Sequence, residues 1–311
     1  MPQIGVIVGI DVSKGKVDAY IRPSGERLST KSPEALVSWL QEYDVVAAVM
    51  EASGGYEQDW AKVLLQAGVV VRIVDPKRVR HFAKSAGRLA KSDPIDAEMI
   101  AWFGATFPDA RNLEDDPERE ELDHLVGGRE GLKDLLVRIE NWGEHERPRL
   151  VARMLAKLSR TVKAELKKIE AGIAAKIKAN AAFAECAEIL TSAPGLGDHT
   201  AAGLIAWMPE LGHISNKEAA ALIGVAPYDE DSGTHKGDRH IKGGRKALRT
   251  LMYMATMSAS TQHNPVLKAY YQRLRAKGKP AKVALIACMR KFITILNVML
   301  ARGEKWNPAP A

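Results

Sequence analysis

The chain is poor in several features that would have restricted its reading. Its two cysteines, Cys186 and Cys288, are far apart in apolar surroundings. That excludes a disulfide framework and a cysteine-based zinc site. No run of 18 consecutive apolar residues occurs, and no basic leader followed by an apolar stretch opens the sequence. Neither a membrane span nor a secretory signal is expected, and a cytoplasmic placement is the simplest. Acidic residues are missing between Lys77 and Lys91, where six cations stand together.

What is present points to a soluble protein of about two domains. The 311 residues carry 45 Lys and Arg against 38 Asp and Glu, a net charge of +7. A hydrophobic share of 46% is ordinary for globular chains with sizeable cores. The moderate basic excess favours a polyanionic partner, although many proteins without one are equally basic.

Residues 4–11 form a continuous apolar run ending in Asp11, the pattern of a central buried strand. Residues 16–23 alternate, Ser24-Gly25 is a turn, and 27–31 can return as a third strand. Ser32-Pro33 starts a helix. A buried strand over 45–50 ends in Glu51, a helix covers 56–67, and a third apolar strand over 69–74 ends in Asp75-Pro76. A meander followed by alternating helix and strand predicts a ribonuclease-H-like α/β domain.

Four acids stand out in that domain. Open α/β sheets place their sites at the C-terminal ends of strands, where Asp11 and Glu51 fall. Asp93 and Asp96 lie in Lys91-Ser92-Asp93-Pro94-Ile95-Asp96-Ala97. Ser92 or Asp93 before Pro94 is a helix start, and residues three apart share a face. Two carboxylates aimed one way repel unless a cation lies between them, and a hard divalent ion is the usual solution. The plain alternative for each acid is a helix or turn cap. Two strand-end acids together with the Asp93/Asp96 pair favour a metal site.

Lys77, Arg78, Arg80, Lys84, Arg88 and Lys91 can form a basic stripe suited to phosphates, or a solvated helix face. An acidic stretch, Glu114 to Pro117, reads as a linker. Two long helices follow, interrupted at Gly143 and Pro148. The second has Leu155, Leu158, Val162, Leu166, Ile169, Ile173 and Ile177 at near-heptad spacing. Such helices can pair within one chain or between two; the length of the seam favours a dimer. Pro194-Gly195-Leu196-Gly197 resembles a helix-hairpin-helix turn whose backbone, at Gly195 and Gly197, grips phosphates; an ordinary helix–helix turn fits as well. Residues 227–244 make a long polar loop. With the helix after it, that segment carries Lys236, Arg239, Lys242, Arg245, Lys246 and Arg249 against Asp238 alone.

Taken in order, these segments resemble the DEDD-type insertion-sequence transposases, the bridge-RNA-guided recombinases related to the Piv DNA invertase. The resemblance rests on Gly9-Ile10-Asp11-Val12-Ser13-Lys14, Met50-Glu51-Ala52-Ser53-Gly54 and Lys91 to Ala97. It continues through Pro194 to Gly197, Gly224-Val225-Ala226-Pro227, Ser232-Gly233, and Gly243-Gly244 through Leu248-Arg249. It implies an α/β plus all-α chain in three parts: a RuvC-like domain over 1–110, coiled-coil helices over 111–182, and a helical transposase domain over 183–311. It implies that Asp11, Glu51, Asp93 and Asp96 hold Mg²⁺ or Mn²⁺ and that Ser232 is the nucleophile, giving a phosphoserine–DNA intermediate. The implied partners are donor and target duplex DNA, a bridge RNA, and further copies of the chain, as a dimer or as a tetramer in the synaptic complex; DNA binding would make it nucleoid-associated. The sequence departs from commoner forms at Pro94, which suits a helix start, and at Asp229-Glu230-Asp231 beside Ser232, which has no evident reason.

Three other readings compete. An actin-like or sugar-kinase ATPase shares Gly-x-Asp-x-Ser after a strand, but no second phosphate loop follows. A metal-dependent nuclease or junction resolvase explains the four acids and leaves Ser232 idle. A nucleic-acid-binding scaffold keeps the basic stripes without needing the acids.

Overall fold

The computed structural model describes residues 5–88, 93–108, 112–145, 147–228 and 239–308, with the side chains of 93–95 outside that description. The chain divides into two compact units, Met1–Asp116 and Pro117–Ala311.

The N-terminal unit runs β1 (Val6–Ser13), β2 (Lys16–Arg22), β3 (Arg27–Thr30), α1 (Pro33–Leu40), β4 (Val45–Glu51), α2 (Tyr56–Gln66), β5 (Val71–Val74), α3 (Pro76–Ser85) and α4 (Asp93–Thr106). The sheet order is β3-β2-β1-β4-β5. The first three strands form an antiparallel meander, and β4 and β5 extend it in parallel from β1. Side chains alternate across the sheet. Val8, Ile10, Ala48 and Met50 pack on Leu36 and Leu40 of α1 and on Trp60 and Leu64 of α2. Ile7 and Val49 face the other way, onto Val79 of α3 and Met99, Ile100 and Phe103 of α4. Cover on both faces is why β1 and β4 are apolar at nearly every position. Two helix starts are local in origin. Ser32 accepts a hydrogen bond from the Ala35 N–H, and Asp75 from the Lys77 N–H, each just before a proline at the first helical position. Such caps are worth about 1 kcal/mol each.

The C-terminal unit contains α5 (Pro117–Gly143), α6 (Arg149–Ala179), α7 (Ala181–Thr191), α8 (Asp198–Trp207), α9 (Asn216–Leu222), β6 (Pro227–Tyr228), β7 (His240–Ile241) and α10 (Lys246–Ser258). A π-helical turn (Ala259–His263), α11 (Pro265–Ala276) and α12 (Ala281–Arg302) complete it. α8 is buried almost all round, from Thr200 to Ala206, and forms the centre of the core.

α5 and α6 fill part of the expected seam with each other. They pair within the chain, antiparallel, with Lys176 bonded to Glu118 and Glu121, Arg129 to Glu170, and Lys163 to Glu140. Leu155 and Val162 of the seam bury against Ile139 of α5, and Ile173 joins the main core. A near-heptad repeat specifies a helical partner but not whose chain supplies it. Gly127 and Gly128 do not interrupt α5. A Cβ at Gly128 would stand 3.0 Å from Ile169, so this glycine lets the two helices approach.

Among the described residues, α12 alone is long and apolar enough to cross a membrane, and half of its apolar stretch is buried in this unit. Phe292, Ile293 and Leu296 are fully buried there. Its Asn297 accepts from the Gly212 N–H and donates to Ile214 O and Asn216 Oδ1, tying the 212–216 loop to the core.

Candidate metal and nucleic-acid site

β1 and β4 are neighbours, and their pairing ends at Ile10 opposite Met50. Asp11 and Glu51 come one residue later, at the C-terminal ends of adjacent parallel strands. By the alternation of the strands both lie on the face that carries Ile7 and Val49, under α4. α4 crosses this face closely. A Cβ on Gly9 would overlap the Ala97 carbonyl oxygen and stand 2.9 Å from the Ala101 Cα. Farther along the helix, Gly104 is seated against Ile7 and Val49. The helix therefore runs antiparallel to β1, and its first turn, with Asp93 and Asp96, lies toward the strand ends that carry Asp11 and Glu51. Asp96 is half-buried; the Asp93 side chain is outside the described residues.

Among the described residues no three His, Cys, Asp or Glu side chains are grouped tightly enough to hold an ion. The donor set brought to this edge is nonetheless all carboxylate. That chemistry suits a hard, oxygen-seeking cation such as Mg²⁺ or Mn²⁺.

Two further acids near this edge were not singled out from the sequence. Asp18 of β2 is the cross-strand partner of Asp11, so it lies on the same face; Lys16 pairs with it at 3.1 Å. The alternation of 16–23 contained the signal, but strand register cannot be read from spacing alone. Glu57 is 4% exposed and accepts hydrogen bonds from the Ser53 N–H, the Ser53 hydroxyl and the Gly55 N–H, at 2.7–2.9 Å. Burial pushes its carboxyl pKa up, but these bonds outweigh burial and hold it below the usual range. Glu57 thus shapes the turn that follows Glu51. Its position three, four and seven residues before Trp60, Ala61 and Leu64 marks it as an acid on a core-facing stripe.

The basic stripe of α3 begins at the same sheet edge. Lys77, Arg80 and Lys84 are exposed. Arg78 lies over the Phe103 and Phe107 rings at 5.3 and 5.8 Å, and Arg88 stands 3.7 Å from Glu98. Lys91 is outside the described residues.

In the C-terminal unit, β6 and β7 pair as the base of a hairpin. The residues between them, 229–238, lie outside the described residues, and with them Ser232, His235 and Lys236. Arg239, Lys242 and Lys246 are exposed. Arg245 is engaged within the fold: it bonds both Glu210 carboxylate oxygens, at 2.8 and 2.6 Å, and the Trp207 carbonyl at 2.7 Å. Arg249 donates to the Gly243 carbonyl at 2.6 Å.

The Pro194–Gly197 turn links α7 to α8. A Cβ on Gly195 would stand 2.6 Å from the Ala259 Cα, so Gly195 is packed on the π-helical turn, whereas Gly197 opens to solvent at the start of α8. His199 in the first turn of α8 sits 3.2 Å from Glu170. Burial, then the nearby Arg129 guanidinium, keeps its pKa below the ordinary imidazole value.

Two family models match the chain in order. A DEDD transposase model of the IS110 kind covers residues 8–142, and the transposase model of the IS116/IS110/IS902 family covers 187–272. Together they take in more than half of the chain. Both are models of IS110-type transposases, and the chain is similar to that family in each of its two units. The chain is 27% identical to the pilin gene-inverting protein of Moraxella lacunata over 320 residues, which cover 96% of this chain and 97% of that one. The pilin gene-inverting protein of Moraxella bovis matches to the same extent. An uncharacterized 43.6 kDa protein of insertion element IS110 from Streptomyces coelicolor is 31% identical over 161 residues, 50% of this chain and 37% of that protein.

Proposed function

We propose that this transposase cuts and rejoins duplex DNA by metal-assisted phosphoryl transfer at Asp11, Glu51, Asp93 and Asp96, with Ser232 as the nucleophile. The observation that carries the reading is the approach of α4's first turn to the adjacent ends of β1 and β4. The sheet order supports a RuvC-like, ribonuclease-H-like assignment for the N-terminal part. The four carboxylates would hold Mg²⁺ or Mn²⁺, which supplies charge for the scissile phosphate and the leaving oxygen. The stripe on α3 would guide the phosphate backbone to that edge.

Ser232 Oγ attacks phosphorus, and an Oγ–P bond forms as a P–O bond of the DNA breaks. The released strand leaves as a hydroxyl end, and the serine proton passes to a base, for which His235 and His240 are candidates. Attack on the phosphoserine by another DNA end reverses the step without ATP. A guiding bridge RNA and a homo-oligomeric synaptic complex belong to the same proposal. Leu150, Met154 and Leu158, exposed at four-residue intervals on α6, support a contact between subunits.

A second reading, a nuclease or junction resolvase, is favoured by the fact that all four carboxylates lie in the N-terminal unit. Incubation with the element's end DNA and Mg²⁺ separates the two on a denaturing gel. The expected result is a covalent protein–DNA adduct that Ser232→Ala abolishes. Cleavage without an adduct, unchanged in Ser232→Ala, would leave the nuclease reading. Sequencing RNA that copurifies with the protein tests the guide; no discrete species would remove it.

A further inference from the structure

From Arg239 to Gly303 the chain has fourteen Lys and Arg and no Asp or Glu. Part of this charge is engaged near α10, where Arg245 and Arg249 hold the fold together. Six of the others, Arg273, Arg275, Lys277, Lys279, Lys282 and Lys291, lie on α11, on α12 and in the turn between them. Tyr270 is flanked there by two cations, the Arg273 guanidinium and the Lys291 ammonium, each 5.1 Å from its ring centre. The turn between the helices is closed by three backbone bonds: Lys277 N–H to Arg273 O, Gly278 N–H to Arg275 O, and Lys279 N–H to Leu274 O. The last two make a Schellman motif, with Gly278 at φ +77° as its left-handed residue. Lys277 and Lys279 therefore project from a rigid corner, and Lys282 follows one residue into α12.

Local energetics explain only some of these charges. Arg273, Arg275 and Lys277 suit the negative end of α11. Lys279 and Lys282 flank the positive end of α12, which has no acid in its first turn. Among the described residues no carboxylate pairs with Arg273, Lys277, Lys279, Lys282 or Lys291.

We propose that this α11–α12 corner is a sequence-independent docking surface for the phosphate backbone of duplex DNA. Cations on two rigid helices match the closely spaced charge of a duplex, and α11, at 12 residues, is about 18 Å long. A single strand would call for open aromatic platforms. The rings here do not provide one: Tyr270 and Tyr271 are half-buried, and Tyr270 already carries its two cations. The proposal rests on the transposase reading only in taking DNA as the substrate.

The test is a salt titration of binding to an arbitrary labelled duplex by fluorescence anisotropy. It compares the full chain with the variant combining Arg273→Gln, Lys277→Gln, Lys279→Gln and Lys282→Gln. Each lost phosphate contact makes the slope of log affinity against log salt shallower by about 0.9, so a decrease of about 2 to 4 is expected. The double variant Lys277→Gln/Lys279→Gln, confined to the exposed corner, should show about half of that decrease. Lys163→Gln with Lys168→Gln, cations already paired on α6, should leave the slope unchanged. A variant slope equal to the unmodified chain's, or a decrease seen on single-stranded RNA of equal length and not on the duplex, would overturn the proposal. If the unmodified chain fails to bind any duplex, the transposase reading falls as well.

Discussion

Gly9 and Ala97 are in backbone contact, with no room between them for a methyl group. This contact joins the strand that carries Asp11 to the helix that carries Asp93 and Asp96. Gly9→Ala would therefore push α4 outward, because the obstructing atoms are backbone and cannot rotate away. A loss of about 1–3 kcal/mol is expected. Hydrogen exchange across β1 and α4 should show it, and DNA cleavage should fall along with it; unchanged protection would refute the contact.

Asp11→Asn and Glu51→Gln each remove one charge from the strand ends and leave the apolar faces untouched. Cleavage should fall by at least about a hundredfold, which is about 3 kcal/mol of barrier. Duplex affinity, carried by the basic surfaces, should stay within about threefold. Chelating the divalent ion should abolish cleavage of the unmodified chain. Activity persisting in either variant would remove that carboxylate from the site.

Glu57→Gln replaces a charged acceptor of three hydrogen bonds with a neutral one. Hydrogen bonds to charged groups contribute about 1.5–3 kcal/mol, so a decrease of that order is expected at neutral pH. The folded-state pKa lies below the unfolded value. The stabilisation is therefore fully present above the unfolded carboxylate pKa, about 4.3, and is lost as pH falls through the folded one. Thermal melts of the two proteins should converge on acidification below that range. A gap that stays constant with pH would contradict the charge-based account.

Arg245→Gln separates a structural arginine from a DNA-contacting one. Its fork bonds Glu210, whose side chain is 10% exposed, so its loss takes a bidentate cation away from a nearly buried carboxylate. The expected outcome is a lower melting temperature with the salt dependence of DNA binding unchanged. A salt slope shallower by about one, with no change in melting, would make Arg245 a phosphate contact.

The sheet was legible in the sequence because its pattern is local. Apolar runs ending in Asp11, Glu51 and Asp75 mark strands and their ends, and Ser32-Pro33 and Asp75-Pro76 mark helix starts. The placement of Asp11 and Glu51 at strand ends followed from the same runs, whereas their common face needed the register of β1 against β4. What stayed hidden depends on partners distant in the chain. The α5–α6 seam had the right spacing, but periodicity does not say which chain fills it. Arg245 looked like one more cation in a basic loop because Glu210, 35 residues away, gives no local sign of meeting it. The π-helical turn after α10 was missed because a single extra residue per turn leaves no mark in apolar spacing. Asp18 needed the strand register, and Glu57 needed its hydrogen bonds from Ser53 and Gly55, which the sequence does not display.

Gly9 and Gly104 hold α4 at two points along its length, one over β1 and one over Ile7 and Val49. A helix fixed at both points cannot slide along the sheet without a clash at one of them. The distance from its first turn to the ends of β1 and β4 is therefore set by two residues that have no side chains. Under the proposed metal-assisted chemistry, exchanging an acid alters the donors at this edge, whereas enlarging either glycine alters how closely α4 approaches it. Variants of the two kinds should fail differently, the first in cleavage alone and the second in the packing of α4 as well.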